Sequence, residues 1–316
     1  MLYYSFKSQE TSNKKATIIF PNSELIEEKD KIGISHILEH IICKNIEKKK
    51  DFLKLENLGY DVNGSTANYM EIYFETKDKF IKRLNLFLKI VFNDRIEYND
   101  FKNQKKIVIE EFLLRKNNND EKLLKKMNYP IESLETLSKI KYDDIIKIKN
   151  RIFKNNIFIL IEDDKNRKRI KTFLKENYNA KEVKAEKIRI KKPKMKTYAK
   201  TTSILIKIKP NNIKSYIYAS YFSYILSAKL ERLFREKGLA YSVDDSMYVF
   251  KNEILIIFYW RKRLMIKKTK LFLKEALSTN VDREIYELKK SKNIAFDVIS
   301  LDDVIGFYSK LYKLKT

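Results

Sequence analysis

An ordered echo between the two halves of the chain constrains its fold more than any other feature. Gly59-Tyr60 is followed by an apolar stretch at 71–75, then Leu86-Phe87-Leu88-Lys89, then a helical pattern containing Tyr98, Phe101 and Ile107. Roughly 180–190 residues later, Ala240-Tyr241 precedes a stretch at 253–258, then Leu271-Phe272-Leu273-Lys274, then a helical pattern with Tyr286, Leu288 and Ile294. One repeated tetrapeptide is what chance supplies in a biased composition; a series kept in order is not. Two related domains are therefore expected, and 316 residues suffice for two cores. Residues 181–198 are poor in large aliphatics and dense in Lys, Glu and Pro, so they read as a linker between domains at 1–180 and 199–316.

Strand patterns fall at 2–7, 15–20, 60–63, 71–75, 157–161, 203–208 and 253–258, and helical spacing at 34–43, 48–58, 79–91, 98–115, Tyr142–Phe153, 167–176 and 216–235. Gly59 suits the C-cap of the second helix, and 117–120 reads as a loop. The mixture indicates an α+β protein. No run of 18 apolar residues appears, and the first residues lack the marks of a secretory signal, so cytoplasmic residence is expected. The one cysteine, Cys43, excludes an intramolecular disulfide framework and reads as a buried, inert thiol.

The net charge of +25 invites a nucleic-acid reading. A nucleic-acid binder concentrates its cations on one face and interleaves aromatics for stacking. Here lysines run along the whole chain, which describes a general residue bias and solvated charges. The surviving consequence is a field that favours acidic peptides or an acidic partner.

Only two histidines are present, and they stand four apart in His36-Ile37-Leu38-Glu39-His40. Random placement gives that spacing about once in 160, before an acid between them is required. Four residues is just over one helical turn, so both imidazoles leave the same face and can meet one ion. Glu39 follows His36 by three and lies within reach of a metal-bound water, the H-x-x-E-H arrangement. The bland alternative is an exposed polar edge on an amphipathic helix. The neighbouring residues Ile34, Ile37, Leu38, Ile41 and Ile42 argue for burial, and buried imidazoles beside a carboxylate need partners. A catalytic zinc wants three protein ligands and one open position, so a carboxylate must complete the set. The helix at 104–115 offers Glu110 and Glu111, both among apolar neighbours, and periodicity alone leaves the two open.

Gly33-Ile34-Ser35-His36-Ile37-Leu38-Glu39-His40, followed some 70 residues later by Ile107-Val108-Ile109-Glu110-Glu111, resembles the M16 metallopeptidases. Asn63-Gly64-Ser65-Thr66, Pro130-Ile131 leading to Ile140, and Gly238-Leu239-Ala240-Tyr241-Ser242-Val243 extend the likeness over most of the chain. The resemblance implies two homologous α+β domains, each a mostly antiparallel sheet with helices packed on it, the second one truncated. It implies one Zn²⁺ held by His36, His40 and Glu111, with Glu39 as general base in peptide hydrolysis. It also implies that substrate adds as a strand along Asn63, Ser65 and Thr66, and that Arg235 and Tyr241 contact substrate from the second domain.

The chain departs from the family pattern in several places. Gln104 stands where the family has an acid seven residues before the third ligand, and the interval from Arg235 to Tyr241 is one residue short. Val298 occupies the place echoing Glu111, so only the first half is equipped for zinc. With five glycines in all, the chain has no Gly-rich loop, and the resemblance implies a second M16-like subunit that supplies one, or a second copy of this chain. The expected function is a zinc-dependent endopeptidase of unfolded peptides. Two other readings stand beside it: a zinc-containing subunit that binds peptide without cleaving it, and a basic nucleic-acid binder whose affinity would fall steeply with salt.

Overall fold

Leu2, Tyr4 and Phe6 alternate with half-exposed neighbours, the period-two pattern that places every second side chain in a core. They form β1 (Leu2–Phe6), the first element of a computed structural model that describes residues 1–6, 13–21, 27–50, 52, 62–66, 69–114, 124–125, 129, 131–154, 157–163, 165–182, 194–200, 202–209, 213–240, 242–250 and 253–278. The chain divides into two compact units, Met1–Lys184 and Ala185–Thr316.

In the first unit β1 is followed by β2 (Lys14–Pro21), α1 (Ile34–Glu47), β3 (Val62–Thr66), β4 (Tyr69–Thr76), α2 (Phe80–Asn93), α3 (Tyr98–Leu114), α4 (Leu134–Lys139), α5 (Tyr142–Phe153), β5 (Ile157–Glu162), α6 (Arg167–Tyr178) and β6 (Lys181–Glu182). The sheet order is β3-β4-β2-β5-β1-β6. Pairing is antiparallel from β3 to β5 and parallel across β5, β1 and β6. β3 is thus an edge strand, held only by β4 among the described residues, with Val62 opposite Phe74 and Thr66 opposite Met70.

α1 packs on β3, β4, α2, α3 and α5, and Ile37, Leu38 and Ile41 are fully buried. Each such side chain contributes about 1.5–3 kcal/mol of burial energy. A cluster of Phe52, Phe74 and Phe87 closes the space between sheet and helices. A helix buried nearly all round has little room for polar groups, which makes those it carries conspicuous. α1 begins at Gly33, whose φ of +99° lies in the left-handed region, and Gly33 offers no side-chain cap. Glu27 does that work from the preceding turn. Its Oε2 accepts from the Gly33 N–H at 2.9 Å and its Oε1 from the Ser35 N–H at 2.8 Å, satisfying donors that the first helical turn leaves open.

The second unit runs β7 (Lys194–Ala199), β8 (Ser203–Lys209), α7 (Ile213–Glu236), β9 (Asp244–Phe250), β10 (Glu253–Tyr259) and α8 (Ile266–Ser278). Its sheet, β7-β8-β10-β9, is antiparallel throughout. β10 buries Ile254 to Phe258 without interruption, and Phe234, Trp260 and Phe272 pack edge to face beside it. Both units share the order β-β-α-β-β-α, and in both the last hairpin lies at a sheet edge. The protein is α+β with two homologous domains, the second showing fewer elements among the described residues.

The expected linker at 181–198 is not a plain connection, because β6 and β7 take up its two ends. Neither strand shows apolar alternation; each is a polar edge defined by its neighbour. Of the expected strand at 60–63, the described residues Val62 and Asn63 lie in β3, which continues to Thr66, and 60–61 lie outside the described residues. Most of the expected helix at 48–58, Gly59, the loop at 117–120 and the helical pattern around Tyr286 lie outside the described residues. No helix among the described residues is long and apolar enough to cross a membrane.

Candidate metal centre

His36, Glu39 and His40 leave α1 on the side facing β3 and α3. His36 and Glu39 are buried, and His40 is partly buried. α3 buries Phe101, Gln104 and Val108, a stripe at i, i+3 and i+7. Glu111 continues it by three more residues and so meets the histidines, while Glu110 points to solvent and pairs with Lys106 at 3.7 Å. The apolar surroundings expected for both acids are not found: Ile107, Leu113 and Leu114 are exposed on α3. The buried stripe is the signal that separates Glu111 from Glu110.

His36 Nε2 lies 3.7 Å from Glu111 Oε2, and His40 Nε2 lies 3.6 Å from Glu111 Oε1. One ligand atom from each residue lies within 4.8 Å of the other two. Donors around a tetrahedral zinc, bound at about 2.0–2.2 Å, stand about 3.3–3.6 Å apart, so both imidazole–carboxylate edges are already close to that length. Among the described residues no other His, Cys, Asp or Glu joins the group, which leaves room for water or substrate on an ion held there.

The surrounding groups favour the same chemistry. Burial, then the neighbouring His36, lowers the pKa of His40 and keeps it in the neutral form that can ligate. Gln104 hydrogen-bonds His40. Glu132 Oε2 stands 3.1 Å from the other ring nitrogen of His36, Nδ1. Burial raises the Glu39 carboxyl above its usual range, opposed by the neighbouring His36 and by hydrogen bonds from Thr66 and Cys43. Thr66 Oγ1 donates to Glu39 Oε2 at 3.2 Å, and Cys43 Sγ lies 3.8 Å from Oε1. A Cβ on Gly64 would fall 2.6 Å from Glu39 Oε1, so only glycine allows the edge strand to lie this close to that acid.

These groups, Glu132 apart, line a cavity of about 420 Å³ that also includes Asn63, Ser65, Lys44 and Glu47. The cavity therefore gathers six of the residues singled out from the sequence: His36, Glu39, His40, Glu111, Ser65 and Asn63, with Thr66 as a seventh. Arg235 lies in the second unit near the end of α7, exposed and paired with Glu231 at 2.6 Å. Tyr241 lies outside the described residues. Sequence reading missed Glu132, which no spacing rule connects to His36 across 96 positions. It also missed the capping role of Glu27, which reaches the Gly33 and Ser35 N–H groups from ahead of α1.

Residues 9–139 match the sequence model of Insulinase (Peptidase family M16), a segment holding every residue of this centre. Those residues match the M16 model, and the fold of the described residues is similar to that of M16 proteins. It is similar to a protease from Helicobacter pylori, at 17% identity over 97% of this chain and 86% of that one, with a TM-score of 0.63. An inactive domain of peptidase M16 from Pseudomonas fluorescens gives 15% identity, 99% and 87% coverage and a TM-score of 0.64. The periplasmic protease PqqL from Escherichia coli gives 12% identity and a TM-score of 0.59, with 98% of this chain covering 43% of that one. At these identities the likeness is one of fold. No curated protein sequence matches the chain. Family and fold together support a peptidase function.

Proposed function

We propose that the chain is a zinc-dependent endopeptidase acting on unfolded peptides, with His36, His40 and Glu111 as ligands and Glu39 as general base. The observation that carries this reading is the convergence of three donors within 4.8 Å beside an acid that lines the same cavity. Zinc bound there would supply an acidified water and polarise the scissile carbonyl. Glu39, held by Thr66, would accept the water's proton and deliver it to the departing amine. Asn63, Ser65 and Thr66 belong to a strand that lies at the sheet edge among the described residues, which suits an extended peptide adding to the sheet. Tyr241 and Arg235 are proposed to contact substrate, Tyr241 by hydrogen bonds to the tetrahedral oxyanion. A second M16-like subunit without a metal site, or a second copy of this chain, would supply the Gly-rich loop that this chain lacks. Cytoplasmic residence fits the single cysteine.

Retention of Glu39 weighs against a peptide-binding subunit that keeps zinc only as a structural element. A structural site needs no base and usually closes with four protein ligands. The test is to load the protein with zinc and offer an unfolded peptide, alone and with candidate partners, comparing wild type with Glu39→Gln. Stoichiometric zinc in both and cleavage reduced about 10²- to 10⁴-fold in the variant are expected. Equal turnover by the two proteins would remove Glu39 from the mechanism.

A further inference from the structure

We propose that Glu132 is a positioning residue of the metal centre: its carboxylate fixes the tautomer of His36 and supplies the negative charge behind the ligands. This rests on the reading of His36, His40 and Glu111 as ligands. The two nitrogens of His36 face opposite carboxylates, Nδ1 toward Glu132 at 3.1 Å and Nε2 toward Glu111 at 3.7 Å. A neutral imidazole has one N–H, and an ionised carboxylate only accepts. The shorter contact holds the proton on Nδ1 and leaves the Nε2 lone pair for a metal. Glu132 lies on the far side of the ring from that lone pair, so it backs the ligand and does not occupy the open position.

The two imidazoles are treated unequally. His40 is backed by Gln104, a neutral amide, so the carboxylate support falls on His36 alone. Room for it comes from Gly33, where a Cβ would stand 2.8 Å from Glu132 Oε2 and 2.7 Å from Leu137 Cδ2. The segment bearing Glu132 is also fixed from the other side. Ser133 caps α4 by a reciprocal pair of bonds with Thr136. From α3, Lys105 Nζ donates to the carbonyls of Ser138 and Ile140 at 2.8 and 2.7 Å. The helix carrying Glu111 is thereby tied to the short helix that follows Glu132, so the two carboxylates flanking His36 keep their spacing.

The test reads metal affinity and tautomer, not hydrolysis. Metal-free wild type, Glu132→Gln, Gln104→Glu and the double variant are titrated with Zn²⁺ against a chromophoric chelator. Glu132→Gln should weaken zinc by about 10- to 100-fold, the range for outer-shell partners of metal ligands. Gln104→Glu in that background should recover much of the loss, because it restores a carboxylate behind the other imidazole. Nitrogen NMR of the metal-free wild type should show His36 protonated on Nδ1, a readout that stands even if the variants fail to fold. Equal affinity of wild type and Glu132→Gln, or an Nε2–H tautomer, would overturn the role of Glu132. Zinc binding with no peptide cleaved would overturn the proposed hydrolysis and leave this inference standing; failure of the wild type to bind zinc would overturn both.

Discussion

The two units build the same slot between a helix and an edge strand and furnish it differently. In the first, α1 faces β3 with His36, Glu39 and His40, and Thr66 donates to Glu39 across the gap. In the second, α7 faces β9 with hydroxyls: Ser223 donates to Asp245 Oδ2 at 2.7 Å, and Ser227 reaches the carbonyl of Val243 at 3.4 Å. Among the described residues only the first slot has imidazoles and a third donor from another helix. The frame supplies proximity; a handful of side chains supply chemistry.

The largest effect should come from removing a donor. His40→Ala is expected to abolish stoichiometric zinc, weakening it by about a thousandfold or more, whereas Ser227→Ala should leave zinc unchanged. Metal content after gel filtration decides this. If both variants keep the ion, the metal centre is not where the comparison puts it.

Gly64→Ala sharpens the contrast within the first slot. The added methyl group meets the Glu39 carboxylate, so the base is displaced while the ligands stay. Turnover should fall about a hundredfold, with zinc affinity unchanged. Loss of both together would mean that the strand, and not the base alone, had moved.

The next effect is a pH dependence seated in the first unit. Glu27 is partly exposed as a residue but its carboxyl is enclosed, and desolvation raises its pKa from 4.5 to about 7 against the pull of the Gly33 and Ser35 N–H groups. Between those values the folded chain binds more protons than the unfolded one, so stability from this group is full below 4.5 and is lost as pH rises through 7. Glu27→Gln should gain on the wild type by about 2–3 kcal/mol between pH 4.5 and 8, measured by urea unfolding of the metal-free protein. A constant gap across that range would deny the shift. Smallest of all, Ser223→Ala should cost about 1 kcal/mol in the second unit and leave hydrolysis untouched.

Much of this was legible in the sequence where burial imposes a period. α5 follows its apolar spacing to the residue, from Tyr142 to Phe153. α1 extends to Glu47, four residues past the expected end, because Asn45 and Ile46 remain buried after Cys43. Elements defined by their neighbours were not legible. β3 runs Val62-Asn63-Gly64-Ser65-Thr66, of which only Val62 and Asn63 fall in the expected strand pattern; the other three residues join the strand through β4. The same division holds at the metal centre. Spacing on one helix marks His36, Glu39 and His40, whereas Glu132 reaches them from 96 residues away through tertiary packing alone.

The β3 border of the first sheet, open among the described residues, has a cost that its composition answers. Unpaired backbone groups at a sheet border are a template for other copies of the protein to zip together into aggregates. Here the described border strand, Val62–Thr66, is mostly small and polar, with a glycine at its middle, a composition with little intrinsic drive for lateral growth. A guest gains little from that border unless it also finds a hold elsewhere in the cavity, and a crowded cell can tolerate such an edge.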